Sequence, residues 1–251
     1  MSPDVICFLM GRLGNNLFIA AATAAYAHRH GLSWSLCSDY HVRDIYEFGL
    51  PVAACGGPER MVWRETGFGY TPIPEQPAGT RLILSGFFQS YRYFADCPVY
   101  IRSIFSLPAG PPVNAVSVHV RRTDFAHYGT AFRMLPLDYY ARASRAFVIR
   151  GQRDFLVFSD DLDWCRAYLP GCHAQARFQY CEEKNPRRAL GIMAACRDHI
   201  IANSSFSWWG AWLNPRSRMV IAPRHEDWFG DRFKCVGTKD LYPPEWTQLD
   251  A

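Results

Sequence analysis

Two adjacent arginines follow a short apolar stretch near the middle of the chain. Apolar and polar residues alternate over 115–121, and this period of two predicts a β-strand. Arg121 and Arg122 stand at the end of that strand, with Asp124 close behind. Neighbouring guanidinium groups repel each other unless an anion lies beside them, and phosphate suits arginine's planar fork. The pattern therefore predicts a strand end that binds a diphosphate.

A second polar group, Asn-Ser-Ser at 203–205, stands at the start of a predicted helix. Backbone N–H groups and hydroxyls at such a place can bind an anion. With Arg121 or Arg122, this segment would neutralise a nucleotide diphosphate. Asp160 and Asp161 are adjacent rather than spaced as D-x-D, the pattern expected to hold Mg²⁺ or Mn²⁺. We therefore expect the diphosphate to leave without a metal, with an arginine stabilising the developing charge.

A loop with two glycines follows the first predicted strand. Residues 5–10 are a continuous apolar run, and residues 17–30 carry apolar residues at helical spacing. Gly11 and Gly14 between them would let the backbone approach a ligand, although a plain tight turn explains the loop equally well. The loop lacks G-x-G-x-x-G and G-K-[ST], which disfavours an NAD site and a P-loop.

Strand and helix patterns alternate through the rest of the chain. Further strands are predicted over 33–37, 81–87, 154–158, 199–202 and 219–222, and helices over 137–149, 162–169, 188–196 and 208–213, whereas 49–80 reads as loops. Either Asp160 or Asp161 can cap the helix 162–169, and Asp161 is the favoured cap. Repeated strand–loop–helix units predict an α/β protein with parallel sheets, in which ligands bind outside the carboxyl ends of the strands.

The segment 107–112, rich in proline, is the predicted domain boundary. It divides the 251 residues into a first domain, 1–110, and a second domain, 111–225. The tail, 226–251, is expected to pack back on the fold.

Composition and charge exclude several classes of protein. Hydrophobic residues make up 49% of the chain and the net charge is +4, which is ordinary for a globular protein and gives no argument for nucleic acid. Nine cysteines without a C-x-x-C pair argue against a zinc cluster and predict mostly free, buried thiols. The sequence shows neither an apolar run of ~18 residues nor a basic leader, so the default expectation is a cytoplasmic location.

Three separated motifs resemble the α-1,2-fucosyltransferase family, glycosyltransferase family 11. Residues 11–18 resemble its G-x-L-G-N-Q-L-F loop, with Asn16 in place of the glutamine. Residues 119–124 match its H-x-R-R-x-D, and residues 200–213 match its long C-terminal motif closely. The Phe-Ser-Asp-Asp at 158–161 also fits, and the motifs occur in the family's order.

The resemblance implies a fold, a reaction and partners. The fold would be of GT-B type, with two Rossmann-like domains, acceptor-side and nucleotide-sugar-binding, whose parallel sheets face a central cleft. The reaction would be inverting transfer of fucose from GDP-fucose to a galactose-type hydroxyl in α-1,2 linkage, with no cofactor and no metal. The acceptor would be an oligosaccharide or a lipid-linked glycan rather than a nucleic acid. A lipid-linked acceptor would bring the enzyme to the inner face of the membrane as a peripheral protein.

The resemblance also implies roles for individual residues. Arg121 would bind the β-phosphate, and Arg12 and Asn15 would face the reacting sugar. With Asp124, these three are the candidate catalytic residues. The residues expected to bind the nucleotide or its diphosphate are His119, Arg122, Gly14, Asp160, Ser204, Ser205 and Phe206.

The general base and the residue that recognises guanine each have more than one candidate. Inverting transfer needs a group that takes the acceptor's proton; Asp124 is the acid nearest the arginines, but it can equally hold an arginine in place. The family's acid in the helix before the third motif is missing near Ala189, so guanine recognition would depend on another acid such as Asp160 or Glu183. Two alternative functions follow, a related transferase with another deoxyhexose donor or acceptor and a non-catalytic sugar-nucleotide-binding protein.

Overall fold

The computed structural model describes residues 3–37, 43–55, 60–108, 110–127 and 129–251. It divides the chain into two compact units, one of Met1–Ser106 with Gly237–Tyr242 and one of Leu107–Val236 with Pro243–Ala251. The division falls close to the predicted boundary at 110. The predicted tail, 226–251, is shared between the two units.

The first unit holds a parallel sheet whose described strands are β1 (Val5–Cys7), β2 (Trp34–Cys37), β3 (Val52–Ala53), β4 (Arg60–Arg64) and β5 (Arg81–Ser85). Their spatial order is β3-β2-β1-β5-β4, so that β1 lies at the centre. The helices of this unit are α1 (Leu13–His30), α2 (Arg43–Tyr46) and α3 (Pro98–Ile104), with a 3₁₀ turn at Tyr91–Tyr93.

The second unit holds a parallel sheet of β6 (Val113–Val120), β7 (Asp154–Ser159), β8 (Arg177–Tyr180), β9 (Cys196–Ile200), β10 (Val220–Pro223) and β11 (Thr247–Leu249). The order is β11-β10-β9-β6-β7-β8, which puts the arginine-bearing strand β6 near the centre. The helices are α4 (Thr123–His127), α5 (Leu137–Val148), α6 (Leu162–Tyr168), α7 (Pro186–Ala195) and α8 (Ser205–Trp212). Short 3₁₀ turns stand at Gly129–Ala131, Leu169–Cys172, His225–Asp227 and Asp231–Phe233. The predicted class, α/β with parallel sheets, is confirmed.

Helix α1 begins four residues earlier than the apolar spacing predicted. Asn16 is fully buried; its side-chain oxygen accepts the N–H of Met10 at 2.9 Å and its amide donates to the carbonyl of Arg12 at 3.1 Å. These bonds close the turn after β1 from inside the helix, so the loop is shorter than predicted. The helix ends at Gly31, whose φ of 65° suits a residue without a Cβ.

The prediction that the cysteines are free is wrong for one pair. Cys37 and Cys55 form a disulfide with a Cα–Cα distance of 5.5 Å. Cys37 ends β2 and Cys55 closely follows β3, and these strands are parallel neighbours. Strand pairing therefore brings together two thiols whose spacing in the sequence carried no signal.

The third motif is largely core. Trp208 and Trp209 on α8 are fully buried, and the ring of Trp208 lies 5.3 Å from that of Trp246.

Among the described residues, no helix combines the length and apolar character needed to cross a membrane.

Gly210→Ala is expected to destabilise the second unit by about 1–3 kcal/mol, the usual cost of overpacking. A Cβ at Gly210 would lie 2.3 Å from Sδ and 2.8 Å from Cγ of Met193, which is itself fully buried. Urea unfolding measures the change. In a Met193→Ala background the same substitution should cost much less, because the blocking side chain is gone. Equal costs in both backgrounds would contradict this packing.

Candidate functional site

The two arginines at the end of β6 point to different partners. Arg121 forms an ion pair with Asp124, and its Nε lies 3.3 Å from Oδ2 of Asp160. Arg122 turns onto α6: its Cζ lies 4.0 Å from the ring centroid of Trp164, and its Nε is 3.6 Å from Asp161. The sequence suggested that an outside anion relieves the repulsion between these two guanidinium groups. In the structure, carboxylates of the protein itself relieve much of it.

Asp160 organises the turn after β6. Its Oδ1 accepts the N–H of Arg122 at 2.9 Å, and its Oδ2 accepts both the N–H and the hydroxyl of Thr123, at 3.1 and 2.6 Å. Burial opposes ionisation of Asp160, but the Thr123 hydroxyl, the Arg121 charge and the Arg122 N–H outweigh it, so the pKa of Asp160 is lowered. Both oxygens are thus engaged within the protein.

Asp161 caps α6, as the sequence predicted. Its Oδ1 accepts the N–H of Trp164 at 3.0 Å. The adjacent acids therefore serve two separate structures, the turn after β6 and the start of α6.

His119 links β6 to α8. Its Nδ1 lies 2.9 Å from the hydroxyl of Ser207, which donates to the carbonyl of Ser204. Because the hydroxyl has one hydrogen, this pairing assigns the ring proton of His119 to Nδ1. Burial and then the charge of Arg121 lower the pKa of His119 to about 3, so the imidazole is neutral at physiological pH. The ring centroid lies 5.7 Å from that of Phe206.

The start of α8 offers backbone donors. Ser204 is the N-cap residue, but its side chain makes no capping hydrogen bond to the first turn of α8. Ser204, Ser205 and Phe206 are half-buried, so this end of the helix is accessible. Asn203 instead turns inward, where its amide donates to the carbonyls of Arg133 and Trp228 at 2.7 and 3.1 Å. It anchors the segment rather than joining the predicted anion site.

The predicted residues of the first unit lie at the start of α1. Arg12 is its exposed N-cap residue, and Asn15 accepts the amide of Gln89 at 2.9 Å. The prediction that Gly14 lies in a loop is wrong, because Asn16 closes the turn and Gly14 is buried within the helix.

The predicted nucleotide residues other than Gly14 lie in the second unit, at the carboxyl ends of β6, β7 and β9. Sequence reasoning did not identify Thr123, Ser207 and Trp164, which hold Asp160, His119 and Arg122. The only available signal was their position inside or beside the motifs. Gln89, which follows β5, donates its side-chain amide to Asn15 in the first unit.

His199 provides a pH-dependent test of the core beside this site. Burial lowers the pKa of His199 to about 3, and its Nδ1 and Nε2 lie 2.7 Å from Ser117 Oγ and 3.0 Å from Asn214 Nδ2. The unfolded chain takes up this proton near pH 6.5 and the folded chain does not, so stability is lost as pH falls from about 6.5 towards 3. At pH 5 the loss is about 2 kcal/mol.

The measurement compares wild type with His199→Gln, which cannot gain a proton. Between pH 7.5 and 5, wild type should lose about 2 kcal/mol more free energy of unfolding than the variant. The comparison is needed because burial raises the pKa of Glu65 to about 7, which changes stability in the opposite sense as pH falls. Parallel pH profiles would show that His199 is not buried in the neutral state.

Comparison with solved structures defines the class. The chain matches an α-1,6-fucosyltransferase, NodZ, soaked with GDP-fucose, with a TM-score of 0.55, 11% identity and coverage of 90% of this chain and 97% of that one. It matches the Escherichia coli heptosyltransferase WaaC with a TM-score of 0.53, 11% identity and coverage of 98% and 93%. These likenesses show the fold, which is of GT-B type.

Sequence comparison defines the family. Residues 101–250 match the model of glycosyl transferase family 11. The chain is 34% identical over 182 residues to an α-1,2-colitosyltransferase of Escherichia coli, covering 66% of this chain and 61% of that protein. It is 34% identical over 134 residues to the O-antigen biosynthesis glycosyltransferase WbnK of Escherichia coli, covering 51% and 44%. It is 24% identical to the galactoside 2-α-L-fucosyltransferase SEC1 of Bos taurus, covering 96% and 72%.

The chain belongs to glycosyltransferase family 11. It covers 44% of the length of WbnK and 61% of the length of the colitosyltransferase. The matched region holds the second and third motifs, whereas the motif at 11–18 lies outside it.

Proposed function

We propose that this protein is a metal-independent, inverting glycosyltransferase that moves fucose from GDP-fucose to a galactose-type hydroxyl of a glycan in α-1,2 linkage. Family membership supports the reaction class, and the names of relatives support a fucose-like donor and a galactoside acceptor. The acceptor we propose is an oligosaccharide or a lipid-linked glycan.

The observation that carries the proposal is the setting of Arg121. Asp124 and Asp160 hold its guanidinium at the carboxyl end of β6, where α/β sheets bind their ligands. A guanidinium has five N–H donors, and these two contacts use only part of them. We propose that the rest bind the β-phosphate of GDP.

Chemistry at this site would proceed by displacement. The bond between the anomeric carbon and the β-phosphate oxygen breaks, and its electron pair stays on that oxygen. Arg121 and the positive end of the α8 helix dipole stabilise the charge that develops there. The acceptor hydroxyl bonds to the opposite face of the anomeric carbon, and its proton passes to the carboxylate of Asp124. Arg12 and Asn15 of the first unit would face the reacting sugar.

The setting of Asp124 bears on the general base. Its carboxylate is paired with Arg121, which is the arrangement that a positioning role requires. We propose that Asp124 first orients Arg121. A carboxylate paired with an arginine is a weak base. Asp124 can therefore accept the acceptor's proton only if the transition state is loose, so that a weak base is enough.

The engaged acids also support metal independence as a proposal. Asp160 binds the turn after β6 and Asp161 caps α6, so both carboxylates already have partners. Both oxygens of Asp160 accept hydrogen bonds, whereas Glu183 accepts the N–H of Asn185 at 2.8 Å with Oε1, so we propose Glu183 as the acid for guanine. Ala189 itself is buried in α7.

Calorimetry tests the proposal. The affinity for GDP and the affinity for GDP-fucose should each stay the same when EDTA is added. ADP should bind more weakly than GDP. Absence of binding by every GDP-sugar would contradict the proposal. A second candidate, transfer of colitose, is favoured by the 34% identity to the colitosyltransferase. Tight GDP binding without fucose transfer, together with colitosyl transfer, would select it.

A further inference from the structure

The turn after β5 is held in an unfavourable conformation. Phe88 has a φ of 52°, and within the described ranges it is the only non-glycine residue with a positive φ. Its side chain is fully buried, with the ring centroid 6.0 Å from that of Trp63 and 5.2 Å from that of Tyr93. A strained backbone persists only where its surroundings impose it, and such residues concentrate at functional sites.

Glu65 imposes this conformation. It directly follows β4, and its Oε2 accepts the N–H groups of Phe87 and Phe88, both at 2.8 Å. The hydroxyl of Tyr93 donates to the other oxygen at 3.2 Å. Gly86 makes room for the carboxylate, because a Cβ there would lie 2.4 Å from Cβ and 2.7 Å from Oε2 of Glu65. One buried carboxylate thus fixes two successive peptide groups.

Gln89 comes next and reaches α1. It is 5% exposed, and its amide donates to Oδ1 of Asn15 at 2.9 Å. On the other side, a Cβ at Gly11 would lie 2.4 Å from Nδ2 of Asn15, and Gly11 has a φ of 74°. The side chain of Asn15 is therefore confined between Gln89 and Gly11, a position where a side chain would clash with it.

We propose that Glu65 and Gln89 are positioning residues for glycosyl transfer, which act by fixing the side chain of Asn15. These roles rest on the proposed function, in which Asn15 faces the reacting sugar. Glu65 acts through the turn, and Gln89 acts by its hydrogen bond. Neither residue belongs to the unit that holds Arg121, so their loss should change turnover and leave nucleotide binding intact.

The experiment measures kcat, KM for GDP-fucose and GDP affinity in Glu65→Ala, Glu65→Gln and Gln89→Leu. We expect Glu65→Ala and Gln89→Leu to lower kcat roughly 10²-fold, the scale of a misplaced reacting group, with GDP affinity unchanged. Glu65→Gln should recover most of the rate, because its amide oxygen can still accept both N–H groups.

Asp4→Ala is the matched control. Its carboxylate also accepts a backbone N–H and a hydroxyl, both of Ser33, but it lies at the amino end of the same sheet. It should leave kcat unchanged.

A second readout does not require activity. The side-chain amide NMR signals of Asn15 and Gln89 should shift in Glu65→Ala and stay in place in Asp4→Ala. If the wild-type protein transfers no sugar, the proposed function is wrong. The NMR signals still show in that case whether Glu65 fixes the side chain of Asn15. Unshifted Asn15 signals, an unchanged kcat in Gln89→Leu, or a parallel fall in kcat and GDP affinity would overturn the inference.

Discussion

Arg121→Ala is expected to lower the rate of sugar transfer by a factor on the order of 10²–10³, the scale of losing one electrostatic donor to a developing negative charge. The guanidinium is held by Asp124 and Asp160 at the end of β6, so its position costs little reorganisation during the reaction. Alanine would also leave two carboxylates without their shared cation. Steady-state kinetics with GDP-fucose measure the loss of transfer rate, and titration with GDP measures the loss of phosphate binding.

Arg122→Ala is the matched comparison for this prediction. Its guanidinium stacks on Trp164 and faces Asp161, so we expect a smaller loss of transfer than for Arg121→Ala. The neighbouring residue thereby controls for the loss of one positive charge at this strand end. Transfer by Arg121→Ala within a few-fold of wild type, or a larger loss in Arg122→Ala, would show that the phosphate role is assigned to the wrong residue.

Asp160→Ala is expected to reduce both stability and transfer. Its carboxylate serves the N–H of Arg122, the N–H and hydroxyl of Thr123, and the guanidinium of Arg121. Removing one partner of a largely buried ion pair typically costs about 3–5 kcal/mol, and here backbone donors lose their acceptor as well. Because Arg121 also loses an anchor, we expect transfer to fall on the order of 10²-fold.

Asp161→Ala supplies the control for the stability measurement. It removes the N-cap of α6, which should cost only about 1 kcal/mol. Urea unfolding of the two variants gives the comparison. Similar losses for the two substitutions would mean that Asp160 does not organise the turn after β6.

The strands that could be predicted from the sequence are those inside the sheets. Buried on both faces, β1 and β6 read as apolar or alternating runs with clear ends. The strands that were missed, β3, β4, β8 and β11, are the edges of the two sheets. β4, β8 and β11 carry polar residues at many positions, as in β4, whose exposure alternates between flanking arginines. Their signal depends on the neighbouring strand, which sequence alone does not supply.

The candidate site shows the same limit. That Arg121 and Ser204 follow strands could be predicted, because the strand ends are marked locally. The carboxylate that pairs with each arginine could not be predicted. Asp124, Asp160 and Asp161 are all candidates in the sequence, and only the fold decides which of them pairs with which arginine. Glu65 had no local signal, because its partners lie 22 and 23 residues away across paired strands.

Linkage analysis of the product formed from GDP-fucose and a terminal β-galactoside tests the proposed transfer reaction most directly. Wild-type protein is incubated with both substrates in EDTA, and the product is analysed by NMR and methylation. We expect release of GDP and one new fucose, α-linked to the 2-hydroxyl of galactose, because inversion at a β-linked donor gives an α-linkage. Fucose attached elsewhere or with the other anomeric configuration, or GDP-fucose left unchanged while another deoxyhexosyl donor is consumed, would contradict it.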